Sequence, residues 1–541
     1  MSTVGQNVGQ IERETQNRII KLFRDELGYT YLGNWEDRPN NSNIEEKLLM
    51  NYLSKRGYSY TLITRAIHEL KITSKQYDKS LYNNNKDVYN LLRYGVQIKT
   101  EAGHNYESVQ LIDWKHPERN DFAIAEEVTI QGNHDKRPDI VLYINGIAIG
   151  VMELKRSIVS IGDGIRQCIV NQQKEFIGQF FSTIQYIFAG NDTEGLRYGT
   201  IGTPEKFYLK WKEDIEDTIR LQLDKYLLKM CSKKRFIELM YDFVLFDGGI
   251  KKLPRVHQYF GIKAGQEHVK RREGGIIWHT QGSGKSIVMV LLAKWILENN
   301  PNARVVIITD RDELDKQIER VFNDTGEPIK RTSSGRDLMV QLSQAKPRLI
   351  CSLVHKFGKK KVDNFEEFIK ELESQPSQAL GELFIFVDEC HRTQSGRLHR
   401  VMKAMLRNAI FIGFTGTPLL NIDKKTSREV FGKYIHTYKF NEGYEEYLKK
   451  IAALAQRVQE GKSESTPVTL NTPAKVALYN NLGKNKDLAM AVHDAVMKNR
   501  PDGWRGNDAK EKVIKSYLYN VLKDEDEVER VFLIIEQQGE Y

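Results

Sequence analysis

Between residues 241 and 440, five short apolar runs recur: GGIIWH, ARVVIITD, RLICSLV, ELFIFVDE and AIFIGFTG. Charged, helix-like segments separate them. Strands buried on both faces read as continuous apolar runs, and covering helices return the chain between parallel neighbours, so this stretch predicts a parallel α/β sheet. A sheet of that kind leaves the carboxyl ends of its strands free to carry a site.

The chain has 541 residues, more than one hydrophobic core ordinarily supports, and the pattern differs on either side of the runs. Residues 1–240 mix polar helical segments with short strands and Asn-rich loops such as RPNNSNIE and LYNNNKD. Residues 441–541 are helical and polar, interrupted by GKSESTPVTLNTPA. Three domains are expected, with boundaries near 240 and 440. The four cysteines (Cys168, Cys231, Cys351, Cys390) show no CxxC or metal-ligand spacing, which argues against a disulfide framework or zinc site and for a reducing, cytoplasmic setting. No basic leader precedes an apolar stretch, and no run reaches the roughly 18 to 20 residues that span a bilayer, so no membrane partner is expected. With 81 Lys and Arg against 72 Asp and Glu, the net charge of +9 favours polyanions without specifying DNA.

The sharpest local pattern is IIWHTQGSGKS, residues 276–286. It places Thr280, Gln281, Gly282, Ser283, Gly284, Lys285 and Ser286 where a strand should turn into a helix. Glycines let backbone N–H groups close around phosphates, the lysine reaches the terminal phosphates, and the serine hydroxyl is a Mg²⁺ ligand. The general phosphate loop has glycine where this chain has His279; the shorter form resembles superfamily 2 helicases. LFIFVDECH supplies Asp388 for Mg²⁺ and Glu389 to orient the attacking water, and ends on His391, a DECH variant of the DExH box. In that superfamily the positions of Gln258 (RVHQYFG), TDRDELDKQ (309–317) and Thr415 and Thr417 (FIGFTGTP) imply adenine reading, approach to the DNA backbone and coupling of nucleotide state to DNA.

A second constellation is RPDIVLYINGIAIGVMELKRS, residues 137–157. Asn145-Gly146 is the dipeptide of a tight hairpin turn, since both positions need positive φ. Asp139 opens the first strand, and Glu153 and Lys155 share a face near the end of the second. The arrangement resembles the PD-(D/E)xK nuclease core, where two carboxylates hold Mg²⁺ against the scissile phosphate and the lysine positions or activates water. Perfect pairing about a two-residue turn would put Asp139 and Glu153 on opposite faces. A bulge in the second strand, expected at Gly150, or a longer turn repairs this. Glu14, in the amphipathic segment ERETQNRIIKLFRDELGY, is a further candidate acid.

Together these parts resemble the restriction (HsdR) subunit of type I restriction enzymes over most of the chain. The implied fold is α/β: a PD-(D/E)xK nuclease domain, a RecA-like helicase domain and a helical C-terminal docking segment. The resemblance implies ATP and Mg²⁺ as cofactors, and as partners double-stranded DNA, a modification methyltransferase and a specificity subunit. It also brings in Gln167, from a Q-x-x-x-Y motif whose tyrosine is Asn171 here, and implies that AGNDTEGLRYG is the next strand and loop. The family's second RecA-like domain, with its Q-x-x-G-R-x-x-R segment, has no counterpart after Pro418, so impaired translocation is expected. A helicase-like DNA repair ATPase, or a non-catalytic truncated subunit docking on the methyltransferase, would carry many of the same motifs.

Overall fold

The positive-φ pair Asn145 (+54°) and Gly146 (+83°) forms the tight turn that the sequence predicts, and the strands on either side are buried throughout. These features belong to a computed structural model that describes residues 12–99, 105–213, 220–309, 316–319, 322, 329–332, 334–353, 380–390, 406, 408–416, 431–438, 472–483, 485–501, 503–505, 507–536 and 538. The chain divides into two compact units, residues 1–439 and 440–541.

The first unit opens with α1 (Glu12–Lys21) and β1 (Thr30–Asn34). Helices α2 (Glu46–Lys55), α3 (Tyr60–Ser74) and α4 (Leu81–Tyr94) follow, then a small hairpin of β2 (Val96–Lys99) and β3 (Tyr106–Val109). Next come β4 (Phe122–Glu126), β5 (Ile140–Ile144), β6 (Ile147–Leu154), α5 (Ile161–Asn171), β7 (Tyr186–Asn191), β8 (Gly195–Gly199) and β9 (Leu209–Lys210). They build a mixed sheet of order β1-β4-β5-β6-β7-β8-β9. The AGNDTEGLRYG segment is the β7–β8 hairpin.

Asn145 does more than turn the chain. Its fully buried side chain accepts from the Asp121 amide at 2.7 Å and donates to the Leu111 carbonyl and Asn120 Oδ1, both at 2.9 Å, satisfying polar groups that the apolar run would strand. The expected register repair is present one position early. Leu142 pairs with Gly150 but Tyr143 with Ala148, leaving Ile149 as the extra residue of β6.

Helices α6 (Gln222–Met230) and α7 (Lys233–Asp242) and a hairpin of β10 (Leu245–Asp247) and β11 (Ile250–Lys252) lead to α8 (Val256–Lys270). The second sheet contains β12 (Gly275–His279), β13 (Ala303–Thr309), β14 (Ile329–Thr332), β15 (Leu349–Leu353), β16 (Glu382–Val387), β17 (Ile410–Thr415) and β18 (Tyr434–Tyr438). Its order is β14-β15-β13-β16-β17-β12-β18, and every pairing is parallel, as the apolar runs require. Helix α9 (Lys285–Asn299) follows β12, and α10 (Gly335–Leu342) precedes β15. Because KSIVMVLLAKWILEN is apolar nearly all round, α9 is a core helix.

One hydrophobic cluster includes residues from both sheets, Phe188 of β7 and Phe384 of β16 among them, together with Phe236 of α7 and Val288 of α9. The two sheets belong to one compact unit. The second unit contains α11 (Pro473–Asn481), α12 (Lys486–Asn499), α13 (Asp508–Leu522) and α14 (Glu525–Glu536) around Leu478, Val492, Leu518 and Phe532. Thr472, Asn485 and Asn507 cap the first three helices by accepting from backbone amides. No described helix is long and apolar enough to cross a membrane, and all four cysteines are buried, none of them in a disulfide.

Candidate functional site

The unpaired Ile149 decides the first site. With Ile140 opposite Met152, the next step of the register brings Asp139 opposite Glu153, close enough for the charge of one carboxyl to act on the other. The Leu154 amide donates to Asp139 Oδ2 at 2.6 Å. Glu153 is fully buried, with the Gln167 amide donating to one oxygen at 2.8 Å and the Asn171 amide to the other at 3.4 Å. Burial pushes Asp139 up to about 6, and burial together with the Asp139 charge pushes Glu153 well above the carboxylate range. Two carboxyls this close in a dry site cannot both ionise without a cation. Lys155 lies beside them. Burial opposes its charge, but Asp139, Glu153 and Glu12 outweigh burial and raise its pKa.

Glu14 is not part of this group. It is exposed on α1, whereas Glu12 accepts from Lys155 Nζ at 3.2 Å. Helical phase explains the difference. The inward residues of α1 are Thr15, Gln16, Ile19 and Ile20; Glu12 lies four residues before Gln16 on the same face, while Glu14 is two residues away on the far side. Gln16 ties α1 to the sheet, its amide donating to Glu126 Oε2 and the Asp139 carbonyl, both at 3.2 Å. Glu126, opposite Ile140 on β4, also accepts from Tyr31 at 2.5 Å and pairs with Arg13 at 2.8 Å. The sequence reading missed Glu12, Gln16 and Glu126; the amphipathic phase of α1 was the available signal for the first two.

The second site sits at the carboxyl ends of β12, β16 and β17. Gly282 (φ +79°) and Gly284 (φ +85°) bend the loop, and Gly284 starts α9, so its free N–H groups face the loop. Lys285, only 7% exposed, lies 3.8 Å from Glu389, which also accepts from the Gly416 amide at 3.3 Å. Asp388 accepts from Thr309 Oγ1 at 3.1 Å and from the Glu389 amide at 3.0 Å. Glu389 adopts φ +47°, a conformation costly for a non-glycine residue. Thr280, Gln281 and Ser286 lie along the same loop and helix start, with Ser283 buried at its centre and Thr415 buried at the end of β17. His391 and Thr417 lie outside the described residues, as do positions 310–315 of the TDRDELDKQ segment.

Gln258 lies against the phosphate-loop segment. Its amide nitrogen donates to the Ser283 and Gly284 carbonyls at 3.1 and 3.2 Å, and its oxygen accepts from the Arg255 amide at 2.8 Å, so both ends serve the protein itself. His279 is fully buried, with Nε2 2.8 Å from His436 Nδ1. Burial lowers its pKa to about 2, so the imidazole is neutral. Among the described residues, no group of three or more His, Cys, Asp and Glu side chains is arranged to hold a metal ion.

Two family models match the chain on these two regions. Type I restriction enzyme R protein N terminus covers residues 9–206, and SWI2/SNF2 ATPase covers residues 257–471. The chain is an HsdR-like protein. This HsdR-like chain is 29% identical over 406 residues to the type I restriction enzyme HindI endonuclease subunit of Haemophilus influenzae, covering 67% of this chain and 37% of that protein. It is 26% identical over 471 residues to the putative type I restriction enzyme MjaIXP endonuclease subunit of Methanocaldococcus jannaschii, covering 78% and 44%. It thus spans less than half the length of these curated relatives. A solved nuclease-deletion mutant of the Type ISP restriction-modification enzyme LlaGI, in complex with a DNA substrate mimic, aligns at 16% identity and a TM-score of 0.27, covering 54% of this chain and 32% of that one.

Proposed function

We propose that this chain is the restriction subunit of a type I system, with a Mg²⁺-dependent DNA-cutting site at Asp139, Glu153 and Lys155 and an ATP site at residues 280–286, 388 and 389. The observation that carries the reading is the pairing of Asp139 with Glu153 across the Ile149 bulge, beside Lys155. Two hard oxygen donors whose charges repel fit a divalent cation, which would offset the burial and repulsion that raise both pKa values. Asp139 and Glu153 would hold Mg²⁺, which supplies charge neutralisation at the scissile phosphate when bound. Lys155, steadied by Glu12, orients the attacking water or stabilises charge on the phosphate. Gln167 and Asn171 hold the Glu153 carboxyl in place.

At the second site, loop amides and Lys285 would bind the phosphates, Ser286 and Asp388 would hold Mg²⁺, and Glu389 would orient water. ATP bound there would drive movement along double-stranded DNA. A methyltransferase and a specificity subunit would be the partners, docked through the helices of residues 473–536. The test is cleavage of plasmid DNA in Mg²⁺ by wild type, Glu153→Gln and Lys285→Ala chains, assembled with those partners. Loss of cutting in Glu153→Gln supports the reading; undiminished cutting by that variant refutes it.

A further inference from the structure

Helix α9 begins at the phosphate loop and ends in the seam between the two sheets of the first unit. Its fifteen residues span about 22 Å. Near the far end, Glu298 pairs with Arg93 of α4 at 2.5 Å and with Lys294 of its own helix at 3.4 Å. The Arg93 side chain is 1% exposed, and its guanidinium stacks on the Tyr241 ring at 3.8 Å. Asp242 adds a second carboxylate to the cluster, with Oδ1 buried and lacking a hydrogen-bond partner. Two cations and two carboxylates thus meet in the seam, with Arg93 and Lys294 buried and Glu298 at the solvent edge; the buried guanidinium resists separation from its carboxylate because its surroundings solvate a lone charge poorly.

From Arg93 the path continues along α4. Asn85, two turns earlier and fully buried, donates to the carbonyls of Phe181, Ser182 and Ile184 at 3.1, 3.0 and 2.8 Å. Its oxygen accepts from Lys251 Nζ at 2.8 Å, and the same amine donates to Gln185 Oε1 at 2.6 Å. The backbone N–H of Gln185 donates at 2.7 Å to the carbonyl of Ile149, the bulge residue of β6 that aligns Glu153 with Asp139. Polar contacts therefore join the far end of α9 to α4 through Glu298 and Arg93, and α4 through Asn85, Lys251 and Gln185 to the residue that sets the register of the nuclease carboxylates, with the two helices as the rigid spans between them.

We propose that the Arg93–Glu298 pair couples the nucleotide site to the nuclease strand, so that ATP binding at the start of α9 is felt, through α4 and Asn85, at the Ile149 bulge of β6. Arg93, Glu298 and Asn85 are positioning residues in this scheme and touch no substrate. The inference rests on the assignment of the two sites above and adds how one regulates the other.

Hydrogen exchange of the full-length chain, with and without Mg²⁺ and the slowly hydrolysed analogue ATPγS, tests it. In wild type the analogue should slow exchange in residues 275–299 and, by about fivefold or more, in residues 147–154 and 181–191. Arg93→Met should keep the first response and lose the second, and Arg93→Lys should restore part of it. Glu298→Gln makes the same test if Arg93→Met does not fold. A wild-type response confined to residues 275–299 overturns the coupling, as does a nuclease response that survives both neutral variants. No response at residues 275–299 in wild type instead overturns the ATP-site assignment, and the coupling with it.

Discussion

Asp139→Asn should stabilise the metal-free protein at pH 8 while removing its metal site. In the folded chain the Asp139 carboxyl titrates at about 6 against an ordinary 3.8, chiefly because burial penalises its charge. A raised acid lends stability that is complete below the unfolded pKa and is lost as pH rises through the folded one. That rise corresponds to roughly 3 kcal/mol at pH 8, an upper figure because one edge of the carboxyl still meets solvent. Asparagine keeps an oxygen for the Leu154 amide and carries no charge. Calorimetric unfolding in a chelator should therefore show the variant about 5 °C above wild type at pH 8, with the gap closing towards pH 4. Adding Mg²⁺ should raise the melting temperature of wild type and leave the variant unmoved. A variant no more stable than wild type at pH 8, or a gap independent of pH, would refute the argument that this carboxyl is held in a charge-excluding site.

Other substitutions separate the remaining parts. Glu12→Ala should lower DNA cleavage by the assembled enzyme by about tenfold or more, whereas Glu14→Ala, on the exposed face of α1, should leave it unchanged. Deleting Ile149 should restore perfect hairpin pairing, turn Glu153 to the opposite face and abolish both cutting and metal binding, read by titration calorimetry. Asn145→Ala removes three buried hydrogen bonds at a left-handed position and should cost about 2 to 4 kcal/mol in denaturant unfolding. Lys285→Ala should lose binding of a fluorescent ATP analogue while retaining metal binding at Asp139 and Glu153.

Much of the fold was legible because its signals are local. Continuous apolar runs specified parallel strands, Asn145-Gly146 specified the turn, and a parity argument required one extra residue in β6. That argument fixed the number of inserted residues but not their place. Glycine was the natural guess, yet the bulge falls at Ile149, where the amide of Gln185 meets the extra carbonyl, a tertiary contact no local pattern announces. Glu12 was legible from helical phase and was passed over for a neighbour of the same chemistry. The engagement of Gln258 with the loop carbonyls depends on how α8 meets β12, and the Arg93–Glu298 pair joins residues 205 positions apart. Contacts at that separation leave no periodicity to read.

Calorimetric titration of Mn²⁺, a cleaner thermal probe than Mg²⁺, into the full-length chain beside an Asp139→Asn/Glu153→Gln double variant tests the central claim most directly. The account predicts a site in wild type that is absent from the variant, that releases protons on binding, and that tightens as pH rises through about 6. Equal binding by the two proteins, or no wild-type binding at pH 8, would contradict it.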